Sequence, residues 1–328
     1  MQMKNILVLG GAGYIGSHCC KYLADQGYAP IVFDNLSQGH KDFVKWGPFI
    51  KGSLHETDKL IKVMKEYEPV AVMHLAAFLS VGDSVTNPSG YYNNNVVGTI
   101  SLLDAMIKCD IKNIIFSSSC AIYGQPETIP IQEFHEKSPI NPYGRTKLII
   151  EHVLEDYETA YGLKSVCLRY FNAAGADYQS KIGEDHSPET HLIPLILDAA
   201  LGRINCIEIF GDDYNTPDGT CIRDYLHIMD IAQAHFKSFE YLLAHGKSLR
   251  LNLGNEKGYS VKELIQVVKD ITGNTFKVNI SARRPGDPAK LIGSTQLAKT
   301  TLNWQPQYNA IDEIIRSAWE WHRKRFSV

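Results

Sequence analysis

Tyr143 and Lys147 stand at the ends of the run Tyr143-Gly144-Arg145-Thr146-Lys147. That interval puts two side chains on one face of a helix. A tyrosine ordinarily loses its proton near pH 10. An ammonium about 4 Å away, at an effective dielectric near 20, contributes about 4 kcal/mol toward the phenolate. That is about three pKa units, before burial opposes it. The pair therefore predicts a phenolate near neutral pH, fit to act as a general base. Upstream, Ser119 follows the apolar strand run Ile114-Ile115-Phe116-Ser117 and adds a hydroxyl that can hold the reacting oxygen. A helix carrying Tyr and Lys by chance is the plain alternative. It loses ground as further motifs appear in the right order.

The first of these is Gly10-Gly11-Ala12-Gly13-Tyr14-Ile15-Gly16, which follows one apolar run and opens an amphipathic stretch. Glycines at that spacing suit a tight turn, close approach of the backbone to a pyrophosphate, and close helix–sheet packing. The helix start supplies free amides and partial positive charge. Asp34 then ends the second strand run, where a carboxylate accepts hydrogen bonds from ribose hydroxyls and repels a 2′-phosphate. A dinucleotide of the NAD type is favoured over NADP.

The elements that must position these groups follow from periodicity. Strands are expected at Asn5–Leu9, Pro30–Phe33, Val70–Leu75, Lys112–Ser117 and Lys164–Leu168. Helices are expected at Tyr14–Gln26, Lys59–Tyr67, Tyr92–Cys109 and Tyr143–Tyr161. Such alternation means βαβ units and an α/β fold, a doubly wound parallel sheet of the Rossmann type. After about residue 172 the texture changes to helices at 189–201, 230–244, 261–271 and 310–325, separated by Gly/Asp/Asn/Pro-rich loops. This reads as a dinucleotide-binding domain over 1–172 and a smaller C-terminal α/β substrate lobe over 173–328. Helix 230–244 is the kind of element that would pack back on the first domain.

Composition narrows the function classes. The chain has 328 residues, 44% apolar, with 33 Lys plus Arg against 36 Asp plus Glu, for a net charge of −3. That excludes a nucleic-acid binder whose affinity rests on overall charge. The longest apolar runs, such as Ile6–Leu9 and Val70–Met73, are far too short to span a bilayer, so no membrane partner is expected. The first residues run straight into a strand pattern without a signal-peptide layout. Seven cysteines lack metal or disulfide spacing. Reduced thiols, a cytoplasmic location and no metal are the expectation.

Along its whole length the chain resembles the UDP-glucose 4-epimerases, in the extended branch of the short-chain dehydrogenase/reductase superfamily. Tyr-x-x-x-Lys with an upstream Ser is that superfamily's triad. The other matching segments are Gly10 through His18, Asp34-Asn35-Leu36, His74-Leu75-Ala76-Ala77, Tyr91 through Val96, Tyr123-Gly124 and Arg169-Tyr170-Phe171-Asn172. Phe210 through Tyr214, Asp218-Gly219-Thr220, Arg223 through His227 and Arg283-Arg284-Pro285-Gly286-Asp287 separate nucleotide-sugar enzymes from ordinary dehydrogenases.

The resemblance implies hydride removal at C4 of a UDP-sugar, rotation of the 4-keto sugar about its diphosphate, and hydride return to the other face. It implies Tyr143 as base, Lys147 and Ser119 beside it, and NAD held as a prosthetic group. NAD would lie against Gly10, Gly11, Gly13, Tyr14, Ile15, Gly16, Asp34, Asn35, Ser53, Leu54, Leu75, Ala76, Ala77, Asn94, Asn95, Tyr143, Lys147 and Tyr170. The UDP-sugar would lie against Ser119, Asn172, His191, Leu192, Ile209, Phe210, Arg223, Arg284, Asp287 and Leu291. Two guanidinium forks, Arg223 and Arg284, suit a diphosphate physically. A homodimer is implied too, through the helix face Val96, Ile100, Leu103 and Ile107, although core packing explains the same stripe.

Four positions depart from the family pattern. Ser53 stands where an acidic residue is usual, Leu79 where Lys is frequent, Ala121 where Thr commonly assists the sugar, and His191 where an Asn often touches the diphosphate. Leu291 falls at a pocket position where, in the resembling family, a bulky Tyr tends to restrict the enzyme to UDP-glucose and UDP-galactose and a smaller residue admits 2-acetamido sugars. The alternatives are a 4-epimerase of UDP-N-acetylhexosamines or UDP-pentoses, a sugar-nucleotide 4,6-dehydratase, and a silent NAD-sensing scaffold. The dehydratase needs an Asp-Glu pair after Ser119, where Cys120-Ala121-Ile122 stands. The scaffold would tolerate loss of the Tyr or the Lys.

Overall fold

In the computed structural model, which describes residues 3–284 and 287–327, β-branched runs and amphipathic stretches alternate along the chain. The first half runs β1 (Asn5–Leu9), α1 (Tyr14–Asp25), β2 (Ala29–Asp34), β3 (Phe49–Lys51), α2 (Thr57–Tyr67) and β4 (Ala71–His74). It continues with α3 (Val81–Thr86), α4 (Pro88–Tyr91), α5 (Gly98–Lys108), β5 (Asn113–Ser119), α6 (Pro142–Tyr161) and β6 (Lys164–Tyr170). Then come β7 (Asn172–Ala174), α7 (Leu192–Ala200), β8 (Cys206–Phe210), β9 (Ile222–His227), α8 (Ile228–His245) and β10 (Leu249–Leu253). The chain closes with β11 (Gly258–Ser260), α9 (Val261–Thr272), β12 (Lys277–Ser281), β13 (Lys290–Leu291), α10 (Gln296–Leu302) and α11 (Ile311–Phe326).

Seven strands form one sheet in the order β3-β2-β1-β4-β5-β6-β10, every pairing parallel. A parallel sheet is covered on both faces, which is why its strands read as nearly continuous apolar runs. One face is buried by α1 and α8, the other by α2, α5 and α6. The strand order reverses between β1 and β4. Ligands of doubly wound sheets bind at that point, beyond the carboxyl ends of the strands.

A second group of elements lies beyond those ends. β9 pairs with β7, β11 and β13, and β8 pairs with β12. Around them α7, α9 and α11 close a separate apolar core. The division placed after residue 172 does not follow the sheet. β10, far along the chain, pairs with β6 in parallel, and α8 lies against α1. The physical reason is that β6 would otherwise leave its backbone groups unpaired at an edge. The run Leu249-Arg250-Leu251-Asn252-Leu253 supplies that cover. The expected helix Tyr92–Cys109 is also modified. Residues Tyr92–Val97 form a wider π turn before α5 begins, a feature found mostly at functional sites. The stripe expected at a dimer interface is largely used internally: Leu103 is in the core, and Val96 and Ile107 pack against it.

Helix α6 carries the two chemical groups singled out in the sequence. Asn141 caps its start by accepting a hydrogen bond from Gly144 N at 2.8 Å, with Pro142 in the first turn. Tyr143, Lys147 and Glu151 lie one turn apart on the face toward the sheet. Glu151 is buried and receives Arg169 of β6 through two bonds, Nε at 3.0 Å and Nη2 at 2.6 Å. Ser118 of β5 donates to the same carboxylate at 2.6 Å. The guanidinium also donates to the Tyr123 hydroxyl at 2.8 Å, which donates to Asn252 of β10 at 2.7 Å. This network fixes α6 against β5, β6 and β10. Its cations hold the Glu151 carboxyl below its usual range despite burial. Removing one partner of a buried, hydrogen-bonded pair costs about 3–5 kcal/mol, because the other charge is left bare. Glu151→Ala should lose about that much unfolding free energy in urea titrations. A loss under about 1 kcal/mol would show that the pair does not anchor the helix.

Candidate active site

The glycine loop between β1 and α1 forms the floor of a cleft of about 470 Å³. Gly10 has φ of +77°, and a Cβ there would meet Ala76 N at 2.7 Å. A Cβ on Gly16 would run into the Gly10 carbonyl. Side chains are therefore excluded where the two strand ends approach. The first turn of α1 has no capping side chain and no acidic residue, so its amides stay available to an anion. Asp34 accepts from Ala12 N at 3.0 Å and Leu36 N at 2.8 Å. Burial raises its carboxyl, and those two amides pull it back. Each oxygen keeps a lone pair for a further donor.

Gly10, Gly13, Tyr14, Ile15, Gly16, Asp34, Asn35, Leu54, Leu75, Ala76, Ala77, Asn94, Tyr143, Lys147 and Tyr170 all line this cleft. Gly11, Ser53 and Asn95 do not. Gly11 packs under Val32. Asn95 works behind the wall. It accepts from Phe78 N at 2.8 Å and donates to Phe78 O at 3.0 Å and to Thr146 Oγ1 at 3.2 Å. It thus ties the loop after β4 to the start of α6.

Tyr143, Ser119 and Lys147 meet at the cleft wall. Lys147 is buried, donates to Ser117 O at 2.7 Å, and sits 5.7 Å from the Tyr143 ring centroid. Ser119 Oγ accepts from Ala121 N at 3.1 Å. The expected neutral-range phenolate is corrected here. In this structure burial pushes the Tyr143 phenol up to about 12, although its hydrogen bond to Ser119 draws it down. Burial likewise pushes the Lys147 ammonium down to about 7, against the nearby Cys167 and Glu151. Spacing along a helix shows proximity but not dielectric. In this pocket desolvation is the largest influence on both groups.

On the far side, Ser119, Asn172, His191, Leu192, Asp287 and Leu291 line the cleft. Leu291 also packs against the cluster Ile122, Tyr123, Ile131 and Phe171. Four expected substrate contacts lie off its wall. Ile209 is in the core of the second group. Phe210 carries the Arg284 guanidinium 3.9 Å above its ring. Arg223 is committed to the Asp287 carboxylate and to Ile222 O at 2.9 Å. Pro285 and Gly286 of the same motif lie outside the described residues.

Sequence reasoning missed Glu184, His186 and Glu189, which gather around His191. His191 Nδ1 is 2.7 Å from Glu184 Oε1 and 3.4 Å from Glu189 Oε1. Burial disfavours charge on His186 and His191, but the two carboxylates outweigh it and raise them to about 9 and 10. The signal was present in the alternation Glu184-x-His186-x-x-Glu189-x-His191.

Comparison with known proteins gives a consistent picture. The family model described as GDP-mannose 4,6 dehydratase matches residues 7–318. A UDP-glucose 4-epimerase of Rhizobium meliloti (strain 1021) is 50% identical over 325 residues, 99% of each chain. Among solved structures, a UDP-glucose 4-epimerase from Brucella ovis in complex with NAD superposes with a TM-score of 0.95. It is 52% identical and covers 97% of this chain and 98% of its own. One from Stenotrophomonas maltophila, with bound NAD and formylated UDP-arabinopyranose, gives 0.95 at 37% identity, covering 98% of both chains.

Proposed function

From the premise that the chain belongs to the UDP-glucose 4-epimerases of the extended short-chain dehydrogenase/reductase family, we infer an NAD-dependent isomerase that inverts C4 of a UDP-hexose. UDP-glucose and UDP-galactose interconvert through a 4-keto sugar. The observation that carries this reading is the meeting of Tyr143, Ser119 and Lys147 with the Gly10–Gly16 loop in one cleft. The cradle that excludes a Cβ at Gly10 and Gly16, with Asp34 at the next strand end, fits a dinucleotide.

NAD, when bound, supplies the hydride acceptor and donor for C4 and a positive ring charge near the phenol. Tyr143 takes the 4-hydroxyl proton and returns it to the opposite alkoxide after the sugar has turned. Ser119 holds the C4 oxygen, taking a larger share because Ala121 offers no hydroxyl. Lys147 stabilises the phenolate as it forms. The Tyr-Lys pair then titrates together, since a phenolate draws the ammonium back up. Asn172 and His191 contact the diphosphate. Arg223 and Arg284 join them by rotating off Asp287 and Phe210. Residues 1–172, with α8 and β10, form the cofactor half, and the elements around β9 form the sugar half.

A 4,6-dehydratase is disfavoured because no carboxylate follows Ser119: Cys120 and Ala121 line the cleft there. The described residues contain no helix long and apolar enough to cross a membrane. A cytoplasmic site of action is proposed on the seven unpaired cysteines. A homodimer is proposed on the exposed apolar Val97 and Ile149 beside α5 and on α6.

Leu291 sets the substrate range. It lines the cleft, is smaller than a tyrosine, and leaves room for an acetamido group. One branch in an apolar pocket decides about 1–3 kcal/mol of discrimination. The protein should act on UDP-galactose and measurably on UDP-N-acetylglucosamine. Leu291→Tyr should cut kcat/KM for the second about tenfold or more relative to the first. Absence of UDP-galactose turnover overturns the function, and an unchanged ratio removes Leu291 from the sugar pocket.

A further inference from the structure

At the mouth of the cleft, ahead of α7, Glu184, His186, Glu189 and His191 bring four ligand atoms within 4.8 Å of one another. We propose that this cluster is a binding site for a divalent first-row transition ion, zinc by preference, with Glu184, His186, Glu189 and His191 each giving one ligand. The geometry carries the assignment. A tetrahedral ion with bonds of about 2.0–2.2 Å needs ligand atoms about 3.4 Å apart. His186 Nδ1 is 3.5 Å from both Glu184 Oε1 and Glu189 Oε2. His191 Nδ1 is 3.4 Å from Glu189 Oε1. The 2.7 Å approach of His191 to Glu184 must open, Glu189 must settle one of its two oxygens between the imidazoles, and spacings that reach up to 4.8 Å must close.

A second observation is independent of those spacings. The His186 side chain is only 10% exposed, and its buried Nδ1, ion-paired at 3.5 Å with both carboxylates, makes no aligned hydrogen bond to either. A buried polar atom without an aligned partner calls for an explanation, and an ion between the four groups provides one. The ligands are also held from behind, as metal sites require. Thr190 N and His191 N donate to Glu189 Oε1 at 2.7 and 2.8 Å, and Trp321 Nε1 donates to the Glu184 carbonyl at 3.1 Å. Glu184, His186 and His191 line the cleft, which gives the ion an entry path. Two imidazoles with two carboxylates and no thiolate suit zinc among the available ions.

Bound there, the ion would staple the Glu184–His191 loop and commit His191 Nδ1, leaving Nε2 as the proton-bearing donor. Its use toward a diphosphate rests on the function proposed above. Metal content does not, so the two readings fail separately. Tag-free protein is stripped with chelator, loaded with zinc or cobalt, and gel-filtered. The expected result is one metal per chain by mass spectrometry, with cobalt spectra lacking a thiolate charge-transfer band. His186→Ala should weaken zinc binding at least about tenfold, and His191→Ala, at a half-exposed position, should do the same without a folding risk. No retained metal, wild-type zinc affinity in both variants, or a thiolate band would overturn the site and leave two protons shared with two carboxylates.

Discussion

Tyr143→Phe is expected to fold, retain NAD, and lose at least about a thousandfold in kcat, within the range of general acid–base catalysis. The lost group is one hydroxyl. Its partner Ser119 still accepts from Ala121 N, and its hydroxyl proton, released from Tyr143, faces the cleft. Ser119 is a plain hydroxyl, and Lys147 is engaged with the Ser117 carbonyl at 2.7 Å, which leaves the Tyr143 phenol as the group aimed into the cleft beside an ammonium. Retention of more than about a tenth of wild-type kcat would give the proton to another group.

Lys147→Met should reduce turnover at neutral pH by about a hundredfold and move the acidic limb of the pH profile, where activity rises with pH, upward by about two units. At 5.7 Å from the ring centroid and an effective dielectric near 20, the ammonium contributes about 3 kcal/mol toward the phenolate. Without it the phenol stays protonated to higher pH, so activity recovers as pH rises. Methionine fills the same volume, but the Ser117 carbonyl loses its donor at a cost of about 1–3 kcal/mol. A lower rate with an unmoved profile would make Lys147 a cofactor anchor only.

The chemistry-bearing groups were legible because their relations are local. Tyr143 and Lys147 are one helical turn apart, and Gly10 to Gly16 fill one strand–turn–helix junction. The cofactor and the sheet follow from these and from the alternation of elements. What escaped depends on distant partners. β10 joins β6 although Tyr170 and Leu249 are far apart in the chain, and its alternating Leu residues give no sign of which edge they cover. Asn95 sits among cofactor-facing residues, yet its π turn aims it at Phe78 and Thr146. Arg223 and Arg284 look like free cations until the fold supplies Asp287 and Phe210. The Tyr143 pKa was misjudged for a related reason, since burial is a property of the assembled pocket.

Inversion at C4 with the substrate's own hydrogen is the central claim, and an isotope tests it. UDP-glucose deuterated at C4 is incubated with protein purified without added NAD, and the products are read by NMR. Formation of UDP-galactose that keeps the deuterium at C4 is the predicted result, because the hydrogen leaves and returns within one closed cleft. No UDP-galactose, or UDP-galactose whose C4 hydrogen comes from solvent, would contradict the account.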